Sequence, residues 1–255
     1  MTYRIALAYI HPGHVSGIFL DSVVLMLRES QYEVEIVRQQ SGSNVQIARN
    51  AVVRFFVNEL DSDYLMFVDA DMGWDSDVPA RLIEKDVPIV SALYLGRQSD
   101  GRAFPVGSMW ATPDKLGAVD KEGRAVRDLS YTDFSPGELL EVAGIGMGCC
   151  VVKREVVEAL GPGAADRGTH PHTWPFSIGQ HALVTGGMLV MGEDITFCFR
   201  AGDLGYKSYI APDVIARHVK EFVVGPNAIT EERKVELGNP EEGGVLNGQM
   251  AGDRR

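Results

Sequence analysis

The run Tyr64-Leu65-Met66-Phe67-Val68-Asp69-Ala70-Asp71-Met72-Gly73 constrains this chain more than any other stretch. Its apolar first part is rich in strand formers and ends abruptly in two carboxylates at i and i+2. On a strand those side chains share one face, and a turn at the strand end lets both reach a common point. Acids emerging from a buried strand are costly unless positive charge meets them. A divalent cation with hard oxygen ligands, shared with substrate phosphates, is the usual counter-charge. The pattern implies an enzyme acting on a phosphorylated donor. A solvated strand end is the plain alternative. A calcium loop fits poorly, because its sixth position is Trp74 and its twelfth Ala80, where such loops carry Gly and Glu. An aspartyl phosphatase normally places its two acids after the first strand, ahead of a turn type missing here.

The pattern around this run sets the fold class. Residues 4–10 predict a first strand, broken by Pro12, Gly13 and Gly17. A helix follows over 18–28, with Phe19, Val23, Met26 and Leu27 on one side. Residues 32–37 alternate as a second strand does. After the capping residues 41–44 comes a helix over 45–60, with Ile47, Ala51, Val52, Phe55, Phe56 and Leu60 at helical intervals. The third strand spans 64–68, a helix 78–85 and the fourth strand 87–94. This alternation predicts an α/β sheet, mixed and mostly parallel, flanked by helices, with ligands at the carboxyl ends of its strands. The second half is less regular. A Gly-rich stretch, Ala143-Gly144-Ile145-Gly146-Met147-Gly148, leads into a buried strand at Cys149-Cys150-Val151-Val152. Residues 153–160 and 193–201 predict helices, with Phe197, Phe199 and Leu204 burying one side of the second. We expect one domain over 1–224, with halves at about 1–110 and 111–224, and a tail or lid over 225–255.

Composition excludes several roles. A formal net charge of -11 disfavours tight nonspecific binding to nucleic acid, which needs a basic face. Cys149, Cys150 and Cys198 form neither a disulfide framework nor a zinc motif, which points to a reducing, cytoplasmic compartment. No apolar run is long enough to cross a bilayer.

Four further groups carry possible chemistry. Glu193 and Asp194 open a helix. A cap explains them; so does a general base, one carboxylate taking a hydroxyl proton while the other orients it. His218 is a structural hydrogen-bonder or a ligand for manganese or zinc. Arg49, in Ala48-Arg49-Asn50, is a surface charge or a reach toward phosphate. Trp174 and Phe176, in the cluster running from His170 to Phe176, are either core or an apolar platform for a sugar ring.

In this order, the pieces resemble glycosyltransferases of the GT-A fold, most closely family-2-like enzymes of bacteria and phages. The resemblance runs from about Tyr3 to Val219. It rests on Ala48-Arg49-Asn50, the Asp69-Ala70-Asp71 run, Gly144 to Gly148 with the strand after it, Gly192-Glu193-Asp194, Gly205-Tyr206-Lys207 and His218. It implies a nucleotide-sugar donor carrying UDP or GDP, Mn²⁺ or Mg²⁺, and an acceptor that is a protein, glycan or other hydroxyl. Asp71 and His218 would bind the metal. Asp69 would contact the donor or help hold the metal. Tyr9, His11 and Pro12 would line the nucleobase pocket, and Arg49 would contact the donor. Asp194, with Glu193 beside it, would be the base. The first loop, Ile10-His11-Pro12-Gly13-His14, departs from the Pro-Thr-Tyr-Asn type common in family 2. A sugar-nucleotide nucleotidyltransferase is the enzymatic alternative, although residues 11–17 contain no Lys or Arg to hold a triphosphate. A non-catalytic carbohydrate- or nucleotide-binding module is the other.

Overall fold

Strands and helices alternate through the first half, as the hydrophobic periodicity dictates. A computed structural model describes residues 3–42, 44–97, 102–111, 125–135, 137–161, 175–182 and 188–219. The expected tail or lid over 225–255, and His170 to Trp174 of the aromatic cluster, lie outside the described residues. The elements of the first half are β1 (Arg4–His11), α1 (Gly17–Glu29), β2 (Glu33–Gln40), α2 (Val45–Glu59), β3 (Tyr64–Asp69), β4 (Met72–Gly73), α3 (Val78–Ile83) and β5 (Ile89–Leu93). Short pieces follow: β6 (Leu95–Arg97), β7 (Ala103–Pro105), β8 (Gly107–Ala111), β9 (Ala125–Asp128), β10 (Leu140–Val142) and β11 (Gly144–Ile145). The remainder is β12 (Cys149–Lys153), α4 (Arg154–Ala159), β13 (Gly179–Ala182), β14 (Met188–Met191), α5 (Glu193–Asp203), β15 (Ser208–Ile215) and β16 (Arg217–His218).

The main sheet has seven strands in the order β10-β15-β5-β12-β3-β1-β2. Strands β2, β1, β3, β5 and β15 share one direction; β12 and β10 run against them. The Cys149–Lys153 strand thus enters antiparallel between the third and fourth strands of the first half. Apolar side chains cover both faces. Phe19, Val23 and Met26 of α1 pack with Ile5, Leu7, Met66 and Trp74 on one face. Val52, Val53 and Phe56 of α2 and Phe197 of α5 pack with Ala6, Ala8 and Phe67 on the other. Burying each large apolar side chain contributes roughly 1.5–3 kcal/mol. Ser16 and Asn44 start α1 and α2 by accepting the amides of Phe19 and Gln46.

Three helical faces differ from the sequence expectation. Leu27 and Leu204 are exposed rather than core. On α2, Ile47 and Phe55 face outward, while Arg49 and Asn50 are buried beside Val52, Val53 and Phe56. The reason is electrostatic: α2 turns a guanidinium and an amide inward because carboxylates and a peptide group wait there to pair with them.

Candidate functional site

The sheet's carboxyl edge gathers the chemistry. β3 ends at Asp69, whose amide donates to the Gly148 carbonyl at 3.0 Å. The chain then turns through Ala70 and Asp71 into β4, which pairs with β16 antiparallel, His218 opposite Met72. The Val219 amide donates to the Asp71 carbonyl at 2.8 Å. This two-residue ladder brings His218 to Asp71 across 147 positions of sequence, with Nε2 of the imidazole 3.2 Å from Oδ2 of the carboxylate. On its other side, His218 Nδ1 lies 3.0 Å from the Leu95 carbonyl. Both neighbours are acceptors, so a neutral ring, with one N–H, donates to only one of them. With that hydrogen on Nδ1, toward the Leu95 carbonyl, Nε2 is a bare lone pair facing a carboxylate. That contact is repulsive unless a proton or a metal cation lies between the two.

A metal-binding imidazole is commonly oriented in this way, its second nitrogen donating to a backbone carbonyl. The donor set of one carboxylate and one imidazole suits Mn²⁺ or Mg²⁺ that completes its shell with substrate oxygens and water. Among the described residues no three His, Cys, Asp or Glu side chains form a metal site by themselves. Asp69 does not join Asp71 and His218. Its Oδ1 lies 3.4 Å from Arg49 instead.

Arg49 lies at the centre of a second cluster. It is 5% exposed, with Nη1 2.6 Å from Glu193 Oε1. Burial works against its charge, but Asp69, Glu193 and Asp194 outweigh that and hold its pKa above the ordinary value. Asn50 pins Phe176 from both sides, accepting its amide at 3.0 Å and donating to its carbonyl at 2.7 Å. The Phe176 ring stacks on Phe197 of α5 at 4.5 Å and meets Phe67 of β3 edge-on. Phe176 is core, which resolves one of the alternatives left open for the aromatic cluster.

Glu193 and Asp194 begin α5, where the helix dipole favours negative charge. Asp194 Oδ1 accepts the Ile195 amide at 2.8 Å. Burial pushes the Asp194 carboxyl above the usual range, and Glu193 adds to this, while Arg49 pulls the other way. A carboxyl raised toward neutrality is suited to accepting a proton during a reaction.

The first loop is arranged differently. Tyr9 is half-buried and packs against Phe19 at 5.0 Å and His11 at 5.7 Å. His11 is buried, and Arg38 Nε donates to its Nε2 at 2.8 Å. The Gly13 amide approaches Nδ1 at 3.1 Å. A neutral imidazole accepts at one nitrogen only, so these two contacts exclude each other at any instant. Burial, then Arg38, lowers the His11 pKa and keeps the ring neutral. Pro12 is exposed.

Sequence reasoning missed Tyr94. Its ring lies edge-on to His218 at 5.8 Å, and its buried hydroxyl accepts the Gly148 amide at 3.1 Å. The glycines before β12 exist for close approach. A Cβ on Gly146 would lie 2.2 Å from the Tyr94 hydroxyl and 2.7 Å from Val106. One on Gly144 would meet Ile195 of α5 at 2.9 Å. Gly146→Ala is expected to destabilise the protein by about 1–3 kcal/mol through overpacking, read as a lower urea midpoint. An unchanged midpoint would show that Tyr94 yields freely. The three cysteines are buried and free; burial pushes Cys149 up to about 12 and Cys198 up to about 11, so neither is a nucleophile.

No protein-family model and no curated protein matches the chain. Solved structures do match. A197 from STIV is similar at 18% identity and a TM-score of 0.50, over 87% of each chain. GalNAc-T7, solved with UDP, GalNAc and Mn²⁺, is similar at 14% identity and a TM-score of 0.51. That match covers 92% of this chain and 48% of GalNAc-T7, so the chain spans about half its length. At such identities the likeness shows the fold alone. The chain has a fold of the GT-A type, a seven-stranded mixed sheet flanked by helices. Among the described residues no helix is long and apolar enough to cross a membrane.

Proposed function

We propose that this chain is a metal-dependent glycosyltransferase, moving a sugar from a nucleotide-diphosphate donor (a UDP- or GDP-sugar) to an acceptor hydroxyl. The observation that carries the reading is the Asp71–His218 pair, closed by the β4–β16 ladder, with the imidazole held between the Asp71 carboxylate and the Leu95 carbonyl. The match to GalNAc-T7 with UDP and Mn²⁺ supports it at the level of fold. Asp71 and His218 would hold Mn²⁺ or Mg²⁺. When bound, that ion offsets the negative charge that develops on the departing diphosphate. The bond from the anomeric carbon to the diphosphate oxygen breaks, its electron pair leaving with that oxygen. The acceptor oxygen bonds to the anomeric carbon, and Asp194 takes the acceptor proton. Asp69, beside the metal pair at the end of β3, would contact the donor ribose or sugar. Tyr9, His11 and Pro12 would border the nucleobase.

Calorimetry with UDP and GDP, with and without Mn²⁺, tests the binding. Donor hydrolysis of UDP-glucose, UDP-GalNAc and GDP-mannose tests turnover. We expect Mn²⁺-dependent binding and slow hydrolysis of at least one donor. Absence of nucleotide binding in the presence of Mn²⁺ would count decisively against the proposal. Pyrophosphate release from UTP or CTP would reassign the chain to nucleotidyl transfer, and donor binding without turnover on any acceptor to a binding module.

A further inference from the structure

The guanidinium of Arg49 has no open reach to a ligand. It is buried, one terminal nitrogen is 2.6 Å from Glu193, and the other is 3.4 Å from Asp69. Those acids belong to different parts of the edge, Asp69 ending β3 and Glu193 opening α5. The adjacent Asn50 clamps the backbone of Phe176, whose ring lies 5.8 Å from the Arg49 guanidinium and stacks on Phe197 of α5. Arg49 and Asn50 therefore tie α2, β3 and α5 together at the carboxyl edge of the sheet. We infer that Arg49 is a positioning residue, not a donor ligand: it commits Glu193 to an ion pair and sets the first turn of α5 so that Asp194 alone is free to take the acceptor's proton.

The geometry supports this division of labour. A carboxylate oxygen 2.6 Å from a buried guanidinium makes a strong charge-assisted bond, which holds Glu193 on Arg49. Among the described residues Asp194 accepts backbone amides, that of Ile195 and its own, and forms no ion pair of the kind that holds Glu193. An arginine forks to two acids at once, and lysine, a point charge, does not. Glu193 moves from candidate base to anchor, and Arg49 from donor contact to brace.

This inference rests on the glycosyl-transfer reading, and its test separates the two. The variants are Arg49→Lys and the charge-matched pair Arg49→Met with Glu193→Gln, which leaves one fewer acid unpaired in the interior than Arg49→Met alone. The probes are UDP with Mn²⁺ for binding and the donor hydrolysed by the wild type for turnover. We expect the paired variant to bind UDP within about three-fold of wild type and to keep its KM, while kcat falls about 100-fold, the usual scale for a displaced reacting group. Arg49→Lys should recover part of that kcat. A raised KM with kcat retained would make Arg49 a donor contact and overturn the assignment. An unchanged kcat in both variants would reduce Arg49 to a stabilising ion pair and overturn it equally. Wild-type protein that binds neither UDP nor GDP with Mn²⁺ removes glycosyl transfer itself, and this assignment with it.

Discussion

Asp71→Ala is expected to abolish Mn²⁺-dependent UDP binding, by at least about 100-fold, or ~2.7 kcal/mol. The argument runs from the backbone outward. Main-chain contacts help to shape this corner, the β4–β16 pairing and the Val219 amide on the Asp71 carbonyl. Truncating a carboxylate that is 41% exposed leaves them in place. What disappears is one of the two side chains that, on the proposed reading, would share a cation with the diphosphate. His218→Ala should lose binding to a similar degree, because the imidazole is already turned toward Asp71 by the Leu95 carbonyl and has no need to reorient. Asp75→Ala supplies the control. Asp75 is an exposed acid four positions from Asp71 that pairs with Arg217, and its loss should leave UDP binding unchanged. Titration calorimetry with excess EDTA as a blank reads all three. Equal UDP affinity in Asp71→Ala and wild type, each in Mn²⁺, would break the link between this pair and the nucleotide.

The same corner shows what the sequence could convey. The apolar run closing on Asp69 and Asp71 announced a strand end bearing acids, because strand periodicity and the cost of burying charge are local facts; that the two acids part, Asp69 to Arg49 and Asp71 to His218, is not. The alternation of the first half announced the helices that flank the sheet. Strand order is not local. Nothing in Cys149-Cys150-Val151-Val152 says that it inserts antiparallel between β3 and β5. The two-residue ladder that delivers His218 is too short to carry a pattern of its own. The misread face of α2 is more instructive. Apolar spacing alone points to Ile47 and Phe55 as the inner face and gives Arg49 no place in it. Yet Arg49, Val52, Val53 and Phe56 stand at i, i+3, i+4 and i+7, the spacing of a buried stripe. A charged residue at the head of such a stripe requires a buried counter-charge, and the acids at Asp69 and Glu193 were its available partners. Apolar periodicity hides that signal, since it counts polar residues as outward. Tyr94 offered less. Its part becomes visible only when Gly146 and Gly148 are seen to make room for it.

Asp194→Asn is expected to leave UDP and Mn²⁺ binding intact while kcat for donor hydrolysis falls by about 1,000-fold, within the usual range for loss of a general base. The substitution keeps the size of the side chain and an oxygen for the Ile195 amide, so the start of α5 is preserved. The wild-type rate should fall as pH drops through the raised value of Asp194, higher than for an ordinary aspartate, because protonation removes the base. Stability should move the opposite way. Burial raises the pKa of this carboxyl in the folded protein, so the folded state binds the proton more tightly than the unfolded chain. Below the ordinary aspartate range both states are protonated and the penalty for ionising a buried group is absent. As pH rises past that range and through the raised value, the penalty grows to its full size, and Asn never incurs it. Asp194→Asn should therefore be more stable than wild type near pH 8, with the difference vanishing near pH 3. Thermal melts across that range, set beside the kcat profile, test both halves together. A site kept strained for chemistry predicts a variant that is more stable and inactive. A variant less stable at every pH would mean that Asp194 is a helix cap, and the base would have to be sought elsewhere along the carboxyl edge.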